Sequence, residues 1–297
     1  MRTHDPQDRD DAKPALALVS LALVSLALAL GGCGEDEDES SGARGESTAK
    51  TSATKKLDRV VKIDGGRGLY VRCTGTGSPT VVLEGGDGDA SDSYAFAEGP
   101  ISKVTRTCVY DRAGLGRSDP PPGKRGLGDL VGDLEALLKT AQIPAPYVLV
   151  GTSGGGVIAA GYAYEHPRHI AGLVFVDTGA PFTDPPKEIV EETDPGNPEN
   201  VEKRDYLQVE KEAWNRRKRI GDIPLTVVSV KFSPAAIAES PFPTERALMR
   251  RNVERQKGWL VLSPRAKQIV AKTGHAVEED DPQLVIDVIR DTVKDAG

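Results

Sequence analysis

The sequence predicts an α/β fold built on a largely parallel sheet. Three observations carry this. Short β-branched runs recur from residue 58 onward, longer helical patterns separate them from the third run on, and several runs are apolar throughout. A strand reads as continuously apolar when both of its faces are covered, and a helix between two strands is how parallel neighbours are joined.

Taken in order, the first four strands are expected at 58–64, 68–74, 79–84 and 106–110. Four more follow at 146–151, 170–177, 224–230 and 266–271, which makes eight. Helical periodicity falls between them at 92–103, 127–141, 154–165, 244–257 and 282–294. The last helix has a legible start, with Asp281 as the N-cap and Pro282 in the first helical position. Residues 180–222 break the alternation with Pro-rich, highly charged sequence and read as a small inserted cap. No internal repeat is present.

The N-terminus is of a different kind. Residues 15–30 form sixteen uncharged, mostly apolar residues, short of the roughly 20 that a spanning helix needs and suited to a signal-peptide core. They end in Leu30-Gly31-Gly32-Cys33, which resembles the lipobox of bacterial lipoprotein signal peptides. That resemblance implies lipidation of Cys33 and a lipid-anchored, extracytoplasmic chain. The residues before the apolar run depart from the pattern, because four acids offset three bases. An uncleaved anchor helix is the alternative, and it would leave the rest of the chain facing outward as well. Residues 34–57 are acidic, then rich in Ser, Gly, Thr, Ala and Lys, a composition that cannot build a core and reads as a tether. The expected organisation is therefore signal peptide and lipidation site at 1–33, tether at 34–57 and folded domain at 58–297.

Charge narrows the function. The chain carries 38 Lys and Arg against 45 Asp and Glu, a net of −7. The run Glu35–Glu39 supplies −5 of this and residues 1–14 another −1, so the remainder is close to neutral at −1. A fold of that balance is not a nucleic-acid binder that works by neutralising phosphates.

The motif with chemical content lies at the fifth strand. It runs into Gly151-Thr152-Ser153-Gly154-Gly155-Gly156 and then an apolar helix. A G-x-S-x-G between a strand and a helix forces the serine into a strained turn that projects its hydroxyl, with the helix N-terminus behind it favouring negative charge. Three further segments accompany it in chain order: VVLEGGDG at 81–88 and YDRAGLGRSD at 110–119 before it, and GHAVEEDDP at 274–282 after it. With YVLVGTSGGG at 147–156 they resemble the α/β-hydrolase superfamily over essentially residues 58–295. The resemblance implies an α/β-hydrolase fold, a mostly parallel eight-stranded sheet flanked by helices. It implies a Ser-His-acid arrangement with Ser153 as the nucleophile.

The histidine can be checked independently. Of four histidines, His4 precedes the apolar run, while His166 and His169 follow a helix of about 12 residues, roughly 18 Å long, and so lie at the far end of the sheet from Ser153. His275 alone sits on a loop after a strand, with Gly274 giving it freedom to turn inward. The acid is less determined. Many relatives carry it after the seventh strand, but here Lys231 and small or apolar residues follow, with no carboxylate before Glu239. Asp177 ends the sixth strand at the edge where active-site groups collect, so it is favoured, with Glu239 as the fallback.

The same resemblance implies an oxyanion hole made by the backbone amides of Gly154 and Asp87. Relatives usually place an apolar residue where Asp87 stands, and often a histidine where Thr152 stands. A carboxylate beside a developing oxyanion is unfavourable unless it points away or is paired, and Arg112 and Arg117 are the expected partners. If Cys33 is lipidated, Cys73 and Cys108 remain as an even pair, and the family's strand order sets their strands side by side, which implies a disulfide. No cofactor or metal is implied, since the histidines are scattered and no cysteine cluster remains. The reading is thus a serine hydrolase of esters or amides acting on a small-molecule or short peptide substrate. Peptidase, lyase and haloperoxidase-like chemistries are open on this fold, and a non-catalytic binding module is the alternative from another class.

Overall fold

The computed structural model describes residues 56–297. The apolar run at 15–30, Cys33 and all but the last two residues of the tether lie outside the described residues. Two strands open the fold, β1 (Leu57–Lys62) and β2 (Gly68–Thr74), followed by β3 (Thr80–Glu84), helix α1 (Ala95–Ser102) and β4 (Thr107–Tyr110). Helix α2 (Leu127–Thr140), β5 (Tyr147–Thr152), α3 (Gly154–Glu165) and β6 (Ile170–Val176) come next. The stretch before β7 (Leu225–Val230) holds two helices, α4 (Lys187–Glu192) and α5 (Tyr206–Asn215). Helices α6 (Pro234–Glu239) and α7 (Pro243–Gln256) precede β8 (Ala266–Ala271), and α8 (Val277–Asp280) and α9 (Pro282–Ala296) close the chain.

The eight strands form one sheet in the order β1-β2-β4-β3-β5-β6-β7-β8. β2 runs antiparallel to both β1 and β4, and every other pair is parallel. Each expected strand is present within about two residues of its expected ends. Alternate residues explain the unbroken apolarity. On β5, Leu149 packs on one face with α2, α3 and α5, while Val148 and Val150 pack on the other with α1 and α9. Asp281 caps α9 as expected, accepting from the Leu284 amide at 3.0 Å, and Val285, Ile289 and Val293 form its buried stripe.

The charged segment between β6 and β7 differs from a simple cap. Its second half, α5, buries Val209 and Ala213 completely against α2 and α3, and Tyr164 donates to the Ala213 carbonyl at 3.2 Å. Small apolar side chains four residues apart make that close packing possible. The residues before α5 lie against the loops at the C-terminal ends of the strands, where Glu202 accepts from the Gly88 amide. Cys73 and Cys108 face one another across the β2–β4 pair and form a disulfide, within the core on the α2 and α3 side.

Candidate active site

Between the end of β5 and the start of α3 a single residue makes the turn. Ser153 has φ 49° and ψ −123°, a strained backbone for a residue with a Cβ. The turn is held by its own amide, which donates to the Val176 carbonyl at 2.8 Å, and by its carbonyl, which accepts from Gly156 at 3.1 Å. Gly151 permits the tight approach, because a Cβ there would collide with the Gly156 backbone.

His275 reaches Ser153 from the loop after β8, with Nε2 3.1 Å from the Ser153 hydroxyl oxygen. Its Nδ1 lies 2.6 Å from the Asp177 carboxylate. Asp177 is the first residue after β6, at φ 44°, and is 3% exposed. Its second oxygen accepts from the Val230 amide at 3.2 Å, the Asn252 side chain at 2.8 Å and the Gln256 side chain at 2.7 Å. Burial works against ionising Asp177, yet the bond and charge of His275, with the two side-chain amides, hold its carboxyl below the usual range. Burial would likewise lower the imidazole, and the bond to Asp177 and its charge outweigh this, raising His275 above 6.5. The His275 side chain is 55% exposed, so the base is open to solvent while its acid is sealed.

The structure therefore brings Ser153, His275 and Asp177 together. Glu239 does not join them; it ends α6 with its side chain exposed. His166 and His169 stack on one another at 5.3 Å beyond the far end of α3.

On the other side of Ser153 lies the loop after β3. The Asp87 carboxylate packs directly on Gly154, so closely that a Cβ on Gly154 would collide with it. Its partner is Arg204, from the segment before α5, which is fully buried. This corrects the expected pairing with Arg112 or Arg117. Arg112 is committed elsewhere, at 2.9 Å from Glu84 and 2.7 Å from Glu202, and also donates to the Gly85 and Gly86 carbonyls at 2.6 Å. Arg117 stacks on Tyr70 and faces Asp92 and Asp111 at 3.7 and 3.9 Å. Glu202 in turn accepts from the Gly88 amide at 3.0 Å. Burial opposes the charge on Glu202, and Arg112 overcomes it, holding the carboxyl below its usual range. Glu210 on α5 goes the other way, pushed up to about 7 by burial and by the charge of Asp87. Among the described residues, neither the Gly154 nor the Asp87 amide donates a hydrogen bond, so both are available to an incoming oxygen. Thr152 points beneath the turn, with its hydroxyl 2.7 Å from that of Tyr94.

Arg204, Glu202, Asn252 and Gln256 were not anticipated from sequence. Asn252 and Gln256 stand four apart on a predicted helix, and that spacing of amides on one face was a usable signal. Glu202 and Arg204 lie in Asn-Val-Glu-Lys-Arg-Asp, where no periodicity separates an ion that is buried from one that is solvated.

Comparison with known proteins agrees with this architecture. The model of the alpha/beta hydrolase fold matches residues 79–221. YqjL of Bacillus subtilis (strain 168) is 27% identical over 234 residues, covering 77% of this chain and 89% of that protein. The cis-3-alkyl-4-alkyloxetan-2-one decarboxylase of Shewanella oneidensis is 33% identical over 125 residues, 39% of this chain and 38% of the enzyme. A probable transporter of Hormonema carpetanum is spanned over only 18% of its length. Among solved structures, the enol-lactonase from Burkholderia xenovorans LB400 superposes with a TM-score of 0.61 at 17% identity, covering 80% of this chain and all of that one. The carboxylesterase CesB from Bacillus subtilis gives 0.58 at 15% identity, over 81% and 92%. The chain has the α/β-hydrolase fold, with an eight-stranded, mostly parallel sheet flanked by helices.

Proposed function

We propose that the protein is a serine hydrolase that cleaves a carboxylic ester or amide through an acyl-enzyme. The observation that carries this is the chain of contacts from Ser153 to His275 to Asp177, built on a strained turn. In this mechanism His275 Nε2 takes the Ser153 proton as the serine oxygen attacks the carbonyl carbon. The carbonyl electron pair moves onto its oxygen, which receives the Gly154 and Asp87 amides. Collapse breaks the bond to the leaving group, which takes the proton from His275. Water, deprotonated by the same imidazole, then releases the acid product and regenerates Ser153. Asp177 holds Nδ1 protonated and stabilises the imidazolium formed during attack.

Arg204 makes this compatible with the aspartate at position 87. Its guanidinium pairs with the Asp87 carboxylate, so the developing oxyanion does not meet an uncompensated negative charge. The lactonase and esterase neighbours favour ester or lactone substrates over amides. A lipid anchor at Cys33 on an extracytoplasmic chain belongs to the same proposal, supported by the apolar run and the small residues before that cysteine.

Fluorophosphonate labelling of the full chain tests the chemistry. We expect one covalent adduct, on Ser153, absent in Ser153→Ala. An adduct that persists in that variant would remove Ser153 as the nucleophile.

A further inference from the structure

The near-neutral balance of the fold conceals a separation of charge along the strands. Beyond the C-terminal ends of β3 to β8, the segments 85–94, 111–126, 153, 177–205, 231–242 and 272–281 carry nineteen Asp or Glu against nine Lys or Arg. This is the end that holds Ser153. At the other end the chain enters β4 to β8 through 103–106, 141–146, 166–169, 216–224 and 257–265. These carry nine Lys or Arg against one carboxylate, Asp222. Four of the nine are the run Arg216–Arg219. Lys103, Arg168, Lys218, Arg219 and Arg265 are exposed. Carboxylates on adjoining helices offset two of the nine: Glu165 and Glu212 pair with Arg216 at 3.3 and 3.5 Å, and Glu254 pairs with Lys257 at 2.5 Å. Asp295 meets Arg265 only through its carbonyl at 3.0 Å, and the five exposed residues named above form no ion pair among the described residues.

Two further observations fall on the same end. The most exposed large apolar side chains, Val261 at 54% and Val104 at 51%, lie just before β8 and just before β4. Five strand spacings separate them, about 24 Å, so the basic rim is broad and carries apolar points near both margins. In addition, Leu57 pairs with Cys73 and Cys73 with Cys108, which puts the first residue of β1 level with the start of β4. Residues 1–55, with Cys33, therefore join the described fold at the basic end.

We propose that this rim is a docking surface for an anionic lipid bilayer, holding the Ser153 end roughly a strand length, about 20 Å, farther out. Basic side chains near an anionic leaflet each shift the balance on the order of fivefold and are screened within a Debye length. Exposed valines among them suit the boundary between headgroups and acyl chains. Net charge alone would predict repulsion from such a surface; its distribution predicts attraction with a defined orientation. The inference is independent of the hydrolase reading and survives that reading's failure.

The test uses the full chain reconstituted in phosphatidylcholine vesicles with and without phosphatidylglycerol, with lysine acetylation rates read by mass spectrometry. Phosphatidylglycerol should slow acetylation of Lys103, Lys218 and Lys257 by about threefold or more, leave Lys231 and Lys272 at the Ser153 end unchanged, and lose this effect in high salt. The double variant Lys218→Glu with Arg219→Glu should return Lys103 and Lys257 to their phosphatidylcholine rates, with fluorophosphonate labelling unaltered. Lys103→Glu, at the other margin of the rim, should weaken protection of Lys257 on its own. Equal slowing in both vesicle types, or slowing at Lys231 and Lys272 instead, would overturn the proposal. So would protection by soluble polyphosphate without protection on phosphatidylglycerol, which would assign the rim to a polyanion.

Discussion

On one side of Ser153, Asp177 is held by neutral donors: the Val230 amide, Asn252 and Gln256. On the other side, Glu84, Arg112 and Glu202 form a buried ionic chain, and Arg204 is buried against Asp87. The two solutions differ in what happens when one member is lost. Removing one of several dipoles leaves a carboxylate still bonded to the others, at a cost of about 1.5–3 kcal/mol. Removing one ion leaves its partner charged and buried, which costs about 3–5 kcal/mol. The acid side should therefore respond in graded steps, each single loss leaving Asp177 bonded to the remaining donors. The oxyanion side should respond in coupled pairs, where a second substitution can restore what the first removed.

The largest effect should come from the charge that the neutral side supports. Asp177→Asn keeps the size of the side chain and removes the carboxylate that orients His275. Turnover of a chromogenic ester should then fall on the order of 10⁴-fold. Glu239→Gln should be nearly silent in the same assay, and a crippled Glu239→Gln would move the acid to the seventh-strand side.

Next is the ionic side. Arg204→Met leaves Asp87 unpaired beside the oxyanion position, and kcat should drop on the order of 10²-fold, comparable to losing an oxyanion donor. Asp87→Asn in that background should recover most of the loss, because the offending charge is gone. A double variant no better than the single would show that Arg204 acts through packing alone, and the contrast between the two sides would fail.

The pH profile sharpens the same contrast. His275 must be neutral to act as a base, so kcat/KM should rise with pH as its proton leaves. Since Asp177 raises the imidazole in the folded protein, the midpoint should lie above 6.5. The imidazolium–carboxylate pair is complete below the unfolded histidine value and is lost as pH rises through the folded one. Asn252→Ala and Gln256→Ala should each lower the rate only about tenfold. Gln256 also donates to the Asn252 side chain at 3.0 Å, so the double variant should depart from the sum of the two. A loss on the order of 10³-fold from either single variant would place the acid side in the same class as the ionic one.

What could be read in advance follows the same division. Strands are apolar runs bounded by turns, and Ser153 and His275 sit at strand ends with glycine beside them, so local sequence suffices. Asp177 stands out from Glu239 by its position in the sheet, and it is the carboxylate that lies 2.6 Å from His275. The ionic chain was not legible, because Glu84, Arg112 and Glu202 come from segments up to about 120 residues apart and pair only once the sheet has formed. The segment at 180–222 looked uniformly polar, and nothing in it distinguished Arg204, which is sealed, from Lys203, which is not. Helices α6 and α8, of six and four residues, are too short to show a period.

The smallest effect on activity should come from the disulfide, which lies apart from both sides. Cys73 and Cys108 pair across β2 and β4, within the core formed with α2 and α3, and touch none of the groups around Ser153. The bridge joins residues 35 apart, so in the chain-entropy model it contributes roughly 3–4 kcal/mol by restricting the unfolded chain. Replacing both cysteines with alanine should lower the melting temperature on the order of 10 °C for a domain of this size. Labelling of Ser153 by fluorophosphonate at 25 °C should stay within about twofold of the parent, because β5, β6 and β8, which carry the reacting loops, are not cross-linked by it. Melting followed by calorimetry and labelling followed by intact mass separate the two quantities. A labelling rate that falls in step with stability would mean that the β2–β4 edge does set the geometry of the β3 loop. Asp87 would then be braced from the strand side as well as by Arg204, and the two sides of Ser153 would no longer be independent.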